Sequence, residues 1–130
     1  MANKHKGEVD LILCGIHYTL RPTFEALVEF EDKAQTTAYD VMHDMSKGRA
    51  AGFRVIAAAI WAGIKGGWSD GSRRPPAFVE VGEAIRCDGL ASVLPVFGQF
   101  LSNALSSEAD LKTAADEDAA GKAPQAGATS

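Results

Sequence analysis

A chain of 130 residues with 46% hydrophobic side chains is sized for one domain around one core, and a net charge of −4 disfavours partners that are themselves polyanions. Charge is unevenly shared: residues 1–105 hold 11 Lys/Arg and 12 Asp/Glu, whereas residues 106–130 hold 2 and 5. The longest apolar run, Val55 to Ile64, is ten residues against the roughly 20 of a membrane helix, and MANKHKGEVD lacks an apolar signal core, which points away from a membrane and toward the cytoplasm.

Residues 1–6 are polar and expected to be flexible. GEVDLIL and IHYTL flank Cys14-Gly15, and a two-residue turn there pairs Leu13 with Ile16, Leu11 with Tyr18 and Val9 with Leu20, placing six apolar side chains on one face. The other face then sets Glu8 against Arg21, Asp10 against Thr19 and Ile12 against His17. Cys14 is less suited than Asn or Asp to the first turn position, so a three-residue turn with a bulge stays open. A lone hairpin is marginal in water, so helices that follow must cover it.

Arg21-Pro22 ends the second strand and Thr23 caps a first helix carrying Phe24, Leu27, Val28 and Phe30 on one side. Thr36 or Thr37 caps a short second helix with Ala38, Val41, Met42 and Met45 at helical spacing, stopped at Lys47-Gly48. The third helix, about Ala50 to Lys65, shows Phe53, Ile56, Ala57, Ile60, Trp61 and Ile64 as a core stripe, with Gly66-Gly67 as its stop. Ala51, Val55, Ala58, Ala59 and Ala62 form a second, small-residue stripe on its back, either enclosed by neighbouring helices or offered to a partner. A Gly/Ser/Asp/Arg loop from Trp68 leads through Pro75-Pro76 to a fourth helix with Phe78, Val81 and Ile85, broken at Cys87-Asp88-Gly89. The last helix carries Val93, Leu94, Phe97, Phe100, Leu101 and Leu105, and Pro95 confines its start to the neighbourhood of Ser92. Residues 106–130 contain one Leu and no aromatic residue, and are expected to be a disordered acidic, Ala/Gly-rich tail. The predicted fold is therefore α+β, mostly α: a domain over residues 7–105 with an N-terminal β-hairpin packed on about five short helices.

Candidate chemistry is sparse. His5, His17 and His43 share no metal-ligand spacing, Cys14 and Cys87 form no CxxC, and GIKGGWSDGS lacks the phosphate-loop pattern. Pairs such as Asp40 and Asp44 read as solvated helix charge. No catalytic, metal or cofactor site is expected, and function falls to apolar surface. Trp61, Trp68, Val55, Ala58, Ala62, Phe97 and Phe100 are the candidate partner-binding residues, on the third helix, just beyond it and on the last helix, with tryptophan weighted for its prominence in binding hot spots. Arg73-Arg74 prompts an alternative as a small nucleic-acid-binding regulator, which the acidic balance counts against.

In order along the chain, the GEV opening strand, YTLRPT at the strand-to-helix junction, ALVEFE and the helix end AGIKGG resemble a family of short tail proteins of phages, prophages and gene transfer agents, over about residues 7 to 105. Its members are described as tail assembly chaperones and, in some descriptions, as tail tube proteins. The resemblance implies a non-enzymatic tail assembly chaperone in the bacterial host cytoplasm, holding the tape-measure protein or other tail proteins, with homo-oligomers left open. The alternative it carries is a structural tail or tube component located in the particle, for which one hairpin looks a small sheet. No nucleic acid, membrane or small-molecule substrate is expected as a partner.

Overall fold

The computed structural model describes residues 2–121. Strands β1 (Val9–Leu13) and β2 (Ile16–Leu20) form an antiparallel hairpin, followed by helices α1 (Phe24–Ala34), α2 (Ala38–Ser46), α3 (Phe53–Gly67), α4 (Phe78–Asp88), α5 (Leu94–Ala104) and α6 (Glu108–Gly121), with 3-10 turns at Lys4–Lys6 and Leu90–Ser92. The fold is α+β and mostly α, as expected.

Hairpin register follows the sequence pattern pair for pair, from Leu13↔Ile16 to Val9↔Leu20. The turn is the two-residue form: Cys14 at φ 51° and Gly15 at φ 79° both lie in the left-handed region, as a type I′ turn requires. What holds a cysteine there is remote in sequence. Its N–H donates to Asp88 Oδ2 at 2.6 Å, and its Sγ lies 3.6 Å from both Asp88 Oδ1 and the Ala84 carbonyl, so the end of α4 clips the hairpin tip. Loss of solvent contact, and then the Asp88 carboxylate, push the Cys14 thiol above its ordinary pKa. Asp88→Asn is accordingly expected to raise the thiolate fraction at mildly alkaline pH and to speed alkylation of Cys14 by iodoacetamide, read by mass spectrometry of the Cys14 peptide; an unchanged rate would refute the clip.

Two hairpin expectations are corrected. Ile16, assigned to the covered face, is 51% exposed, because it flanks the turn and projects past the helices beneath. Among the described residues the Glu8–Arg21 pair does not form, since the ladder ends at Val9↔Leu20; Glu8 Oε1 accepts the Asn3 N–H at 2.8 Å, and the Arg21 N–H donates to the Gly63 carbonyl at 3.0 Å. On the open face, His17 Nε2 lies 2.9 Å from Asp10 Oδ1.

Helix starts obey local rules. Thr23 Oγ1 accepts the Ala26 N–H and Thr37 Oγ1 the Asp40 N–H, so α1 and α2 begin at their predicted hydroxyl caps. Pro95 sits in the first turn of α5, where its missing N–H costs nothing. In α1 the buried face is Ala26, Phe30 and Ala34, not the predicted side that included Phe24 and Val28, which are 80% and 50% exposed. Ala26 and Ala34, one on either side of Phe30 at i, i+4 and i+8, let α1 lie close on α3, and that close contact sets the rotation of the helix.

Helix α3 is the centre of the molecule, with α1, β2, α4 and α5 packed around it. Its residues 56–64 are all buried, so both stripes are covered by the chain's own elements over that span, whereas Phe53, expected in the core stripe, is 43% exposed at the start of the helix and Ala51 and Val55 are half-buried. Phe30, Ile85, Phe97 and Phe100 join its own Ile56, Ile60 and Ile64 in the core, and Leu11, Leu13 and Leu20 seal it from the hairpin side.

The glycines near its end have a role beyond the one expected. The helix ends at Gly67, so Gly66-Gly67 forms its last two residues. Gly63, Gly66 and Gly67, at i, i+3 and i+4, form a face pressed onto β2 and the residue after it: a Cβ at Gly66 would stand 2.1 Å from the Arg21 carbonyl oxygen, at Gly67 2.0 Å from the Thr19 carbonyl oxygen, and at Gly63 2.8 Å from Leu20. Helix and strand touch backbone to backbone, which only glycine permits.

The ends of the domain are more structured than their composition suggests. Residues 4–6, expected to be flexible, form a 3-10 turn capped by Asn3, whose Oδ1 accepts the His5 N–H. Within the segment expected to be a tail, a helix α6 spans Glu108–Gly121: it starts with reciprocal capping, the Asp110 N–H donating to Ser107 Oγ and the Ser107 N–H to Asp110 Oδ2, and continues through alanine-rich sequence of high helix propensity. The remainder of that expectation, residues 122–130, lies outside the described residues. Among the described residues no helix is long and apolar enough to cross a membrane.

Candidate interaction surface

The seven candidate contact residues separate by burial. Ala58, Ala62 and Phe100 are wholly buried, Phe97 nearly so and Trp61 is 8% exposed, so five of the seven belong to the core of the folded chain. Trp61 is held by Phe78, edge-on at 5.7 Å between centroids, and by the ammonium groups of Lys33 and Lys65, 5.7 and 4.9 Å from its ring. Such cation–π contacts let a tryptophan at the core's margin be roofed by charged side chains whose heads stay in water. Lys65 is held in turn by Glu29.

Val55 and Trp68 are half-buried. Val55 lines a hollow of about 220 Å³ with Ala34, Val41 and Met45, where α1, α2 and α3 meet. Trp68 donates its indole N–H to the carbonyls of Asp70 and Arg73, at 3.1 and 2.9 Å, and thereby folds the loop after α3 back on itself. Asp70 tightens the same loop by accepting the Ser72 N–H and hydroxyl, which hold its carboxyl below the usual carboxylate range. Arg73 and Arg74 project from this loop beside a cleft of about 640 Å³ shared with His17, Tyr18 and Thr19 of β2. The structure does not bring the seven residues to one surface.

The apolar side chains that do face water are others. Phe24 and Val28 lie one turn apart on α1, and Val79 of α4 is 70% exposed beside Phe53 at the start of α3. With Ala57, Phe78 and Gly82 the latter two line a groove of about 320 Å³, rimmed by Arg54, Glu83 and Arg86. Ile12 and Ile16 add an apolar margin on the hairpin. Phe24, Val28 and Phe53 escaped sequence reading because they fall within a generous helical stripe; the small Ala26 and Ala34 were the signal for the true inner face.

Several titratable groups are tied into local structure. Glu31 accepts the Ala38 N–H at the start of α2, Asp44 pairs with Arg49, and His43 stacks on Tyr39. Among the described residues no group of three or more His, Cys, Asp or Glu is placed to hold a metal ion.

No curated protein and no solved structure matches the chain. A family model described as phage tail tube protein, GTA-gp10, matches residues 6–107, which takes in every element from β1 to α5 and stops where α6 begins. That description agrees with the second of the two borne by the family the sequence resembles, the tail tube, and does not specify a chaperone. Spanning more than three quarters of its length, the match shows that this chain belongs to the phage tail tube protein, GTA-gp10, family.

Proposed function

We propose that the chain is a structural component of the tail of a phage or gene transfer agent particle, a non-enzymatic subunit that works through contacts with other tail proteins. The observation that carries this is the family match over residues 6–107, which covers the whole hairpin-plus-helices unit and bears a tail tube description. The exposed Phe24, Val28, Phe53 and Val79 suit such a role, since apolar side chains on a surface are where a subunit gains affinity for its neighbours. Mass spectrometry of purified particles tests it. Peptides from residues 6–107 are expected at a copy number comparable to the other tail proteins, and their absence from finished particles would refute the proposal.

A second reading, a tail assembly chaperone for the tape-measure protein, is favoured by one feature: a sheet of two five-residue strands is small for a subunit that must close a ring. On that reading the chain co-purifies with the tape-measure protein from cells arrested in assembly and is missing from finished particles.

A further inference from the structure

The acidic helix α6 is seated on a basic turn. Helix α6 contains five Asp/Glu and one Lys, whereas the 3-10 turn it packs against is Lys4-His5-Lys6. His5 Nε2 lies 3.6 Å from Asp116 Oδ1, and Asp116 Oδ2 lies 3.6 Å from Lys112. Apolar anchorage is thin by comparison. Leu111 is half-buried, close enough to Gly7 that a Cβ there would stand 3.3 Å from its Cδ1, whereas α5 buries Phe97, Phe100 and Leu101.

Beneath α6 lies a hollow of about 370 Å³, bounded by Val9 and Asp10 of β1, Gln99 and Asn103 of α5, and Leu111 and Ala115 of α6 itself. On the β1 side its wall is made by Glu8, Val9 and Asp10. The opposite edge of the hairpin is covered by the glycine face of α3, but among the described residues no backbone group bonds the outward N–H and C=O of Asp10 and Ile12. A helix capped by its own Ser107 and Asp110 and joined to α5 through Leu105–Ser107 can leave this site as a preformed unit.

We propose that α6 is an electrostatically held strap, closed over the hollow beside β1 by attraction between its carboxylates and the Lys4-His5-Lys6 turn, and released when that attraction is screened or removed. The charges involved are exposed, so salt reaches them: going from about 0.01 to about 1 M shortens the screening length from about 30 to about 3 Å. Amide hydrogen exchange on the full chain gives the test. In going from low to high salt the protection of α6 amides is expected to fall about three- to tenfold while that of α3 holds, and Lys4→Gln with Lys6→Gln is expected to produce the same loss at low salt. Protection of α6 that ignores both salt and the lysine substitutions would overturn the proposal, as would α6 amides that exchange freely already at low salt. So would a strap that opens on Leu111→Ser but not on Lys4→Gln with Lys6→Gln, for then the apolar contact alone holds it.

Discussion

Replacing Gly66 or Gly67 by alanine is expected to lower the melting temperature by more than about 10 °C, although alanine in place of glycine ordinarily favours a helix by about 1 kcal/mol. The reversed sign comes from the strand beneath. A methyl group at either position meets a backbone carbonyl oxygen, of Arg21 or of Thr19, at about two-thirds of the separation two such atoms tolerate, and a backbone atom cannot rotate aside. The helix must lift from β2, loosening Leu20 and stretching the bond from the Arg21 N–H to the Gly63 carbonyl. Overpacking of this kind costs about 1–3 kcal/mol or more, and each kcal/mol is worth about 4–8 °C in a domain of this size. Gly82 is the control: it sits within α4 with nothing within 4 Å of an added Cβ, so Gly82→Ala is expected to stabilise by about 0.5–1 kcal/mol. Thermal unfolding followed by circular dichroism compares the three, and a Gly66→Ala protein as stable as Gly82→Ala would show that helix and strand are not in backbone contact.

Phe100→Ala is expected to cost about 3–5 kcal/mol, a large part of the 5–15 kcal/mol that separates a typical folded domain from its unfolded state. Phe100 is fully buried on α5, in the layer that α5 presents to α3, and truncating it leaves a void that the rigid helix pair cannot close. Phe97→Ala should behave alike, being 1% exposed on the same helix. Urea titration is the measurement: the midpoint should drop while the slope stays near its original value. The alternative, that these phenylalanines belong to a partner surface, makes the opposite forecast of an isolated protein with native stability.

Much of the architecture is legible without coordinates where local rules operate. The register of β1 and β2 follows from a period of two and a two-residue turn, because a slip by one residue would turn Leu11, Leu13 and Leu20 to water. Thr23, Thr37 and Pro95 mark helix starts since each satisfies or removes an N–H within a few residues of itself. Helix α6 had a comparable signal in Ser107 and Asp110, outweighed by the low apolar content of its segment. The candidate surface was less readable. Periodicity identifies a stripe of side chains facing something, but whether that something is the chain's own helix or another molecule is decided by where the helices end up, and α3 is enclosed on both faces from Ile56 to Ile64.

Taken alone, the order of residues determines the hairpin, its pairing, the helix caps and a tail family resemblance, all of which depend on neighbours a few positions apart or on motif order. Tertiary structure decides what depends on distant pairs: that Asp88 holds Cys14 across 74 positions, that the glycines at the end of α3 form a contact face, and that Phe24 and Val79 face water while Phe97 and Phe100 do not. The physical reason is that burial and close approach are properties of two surfaces at once, and a single segment specifies only one of them.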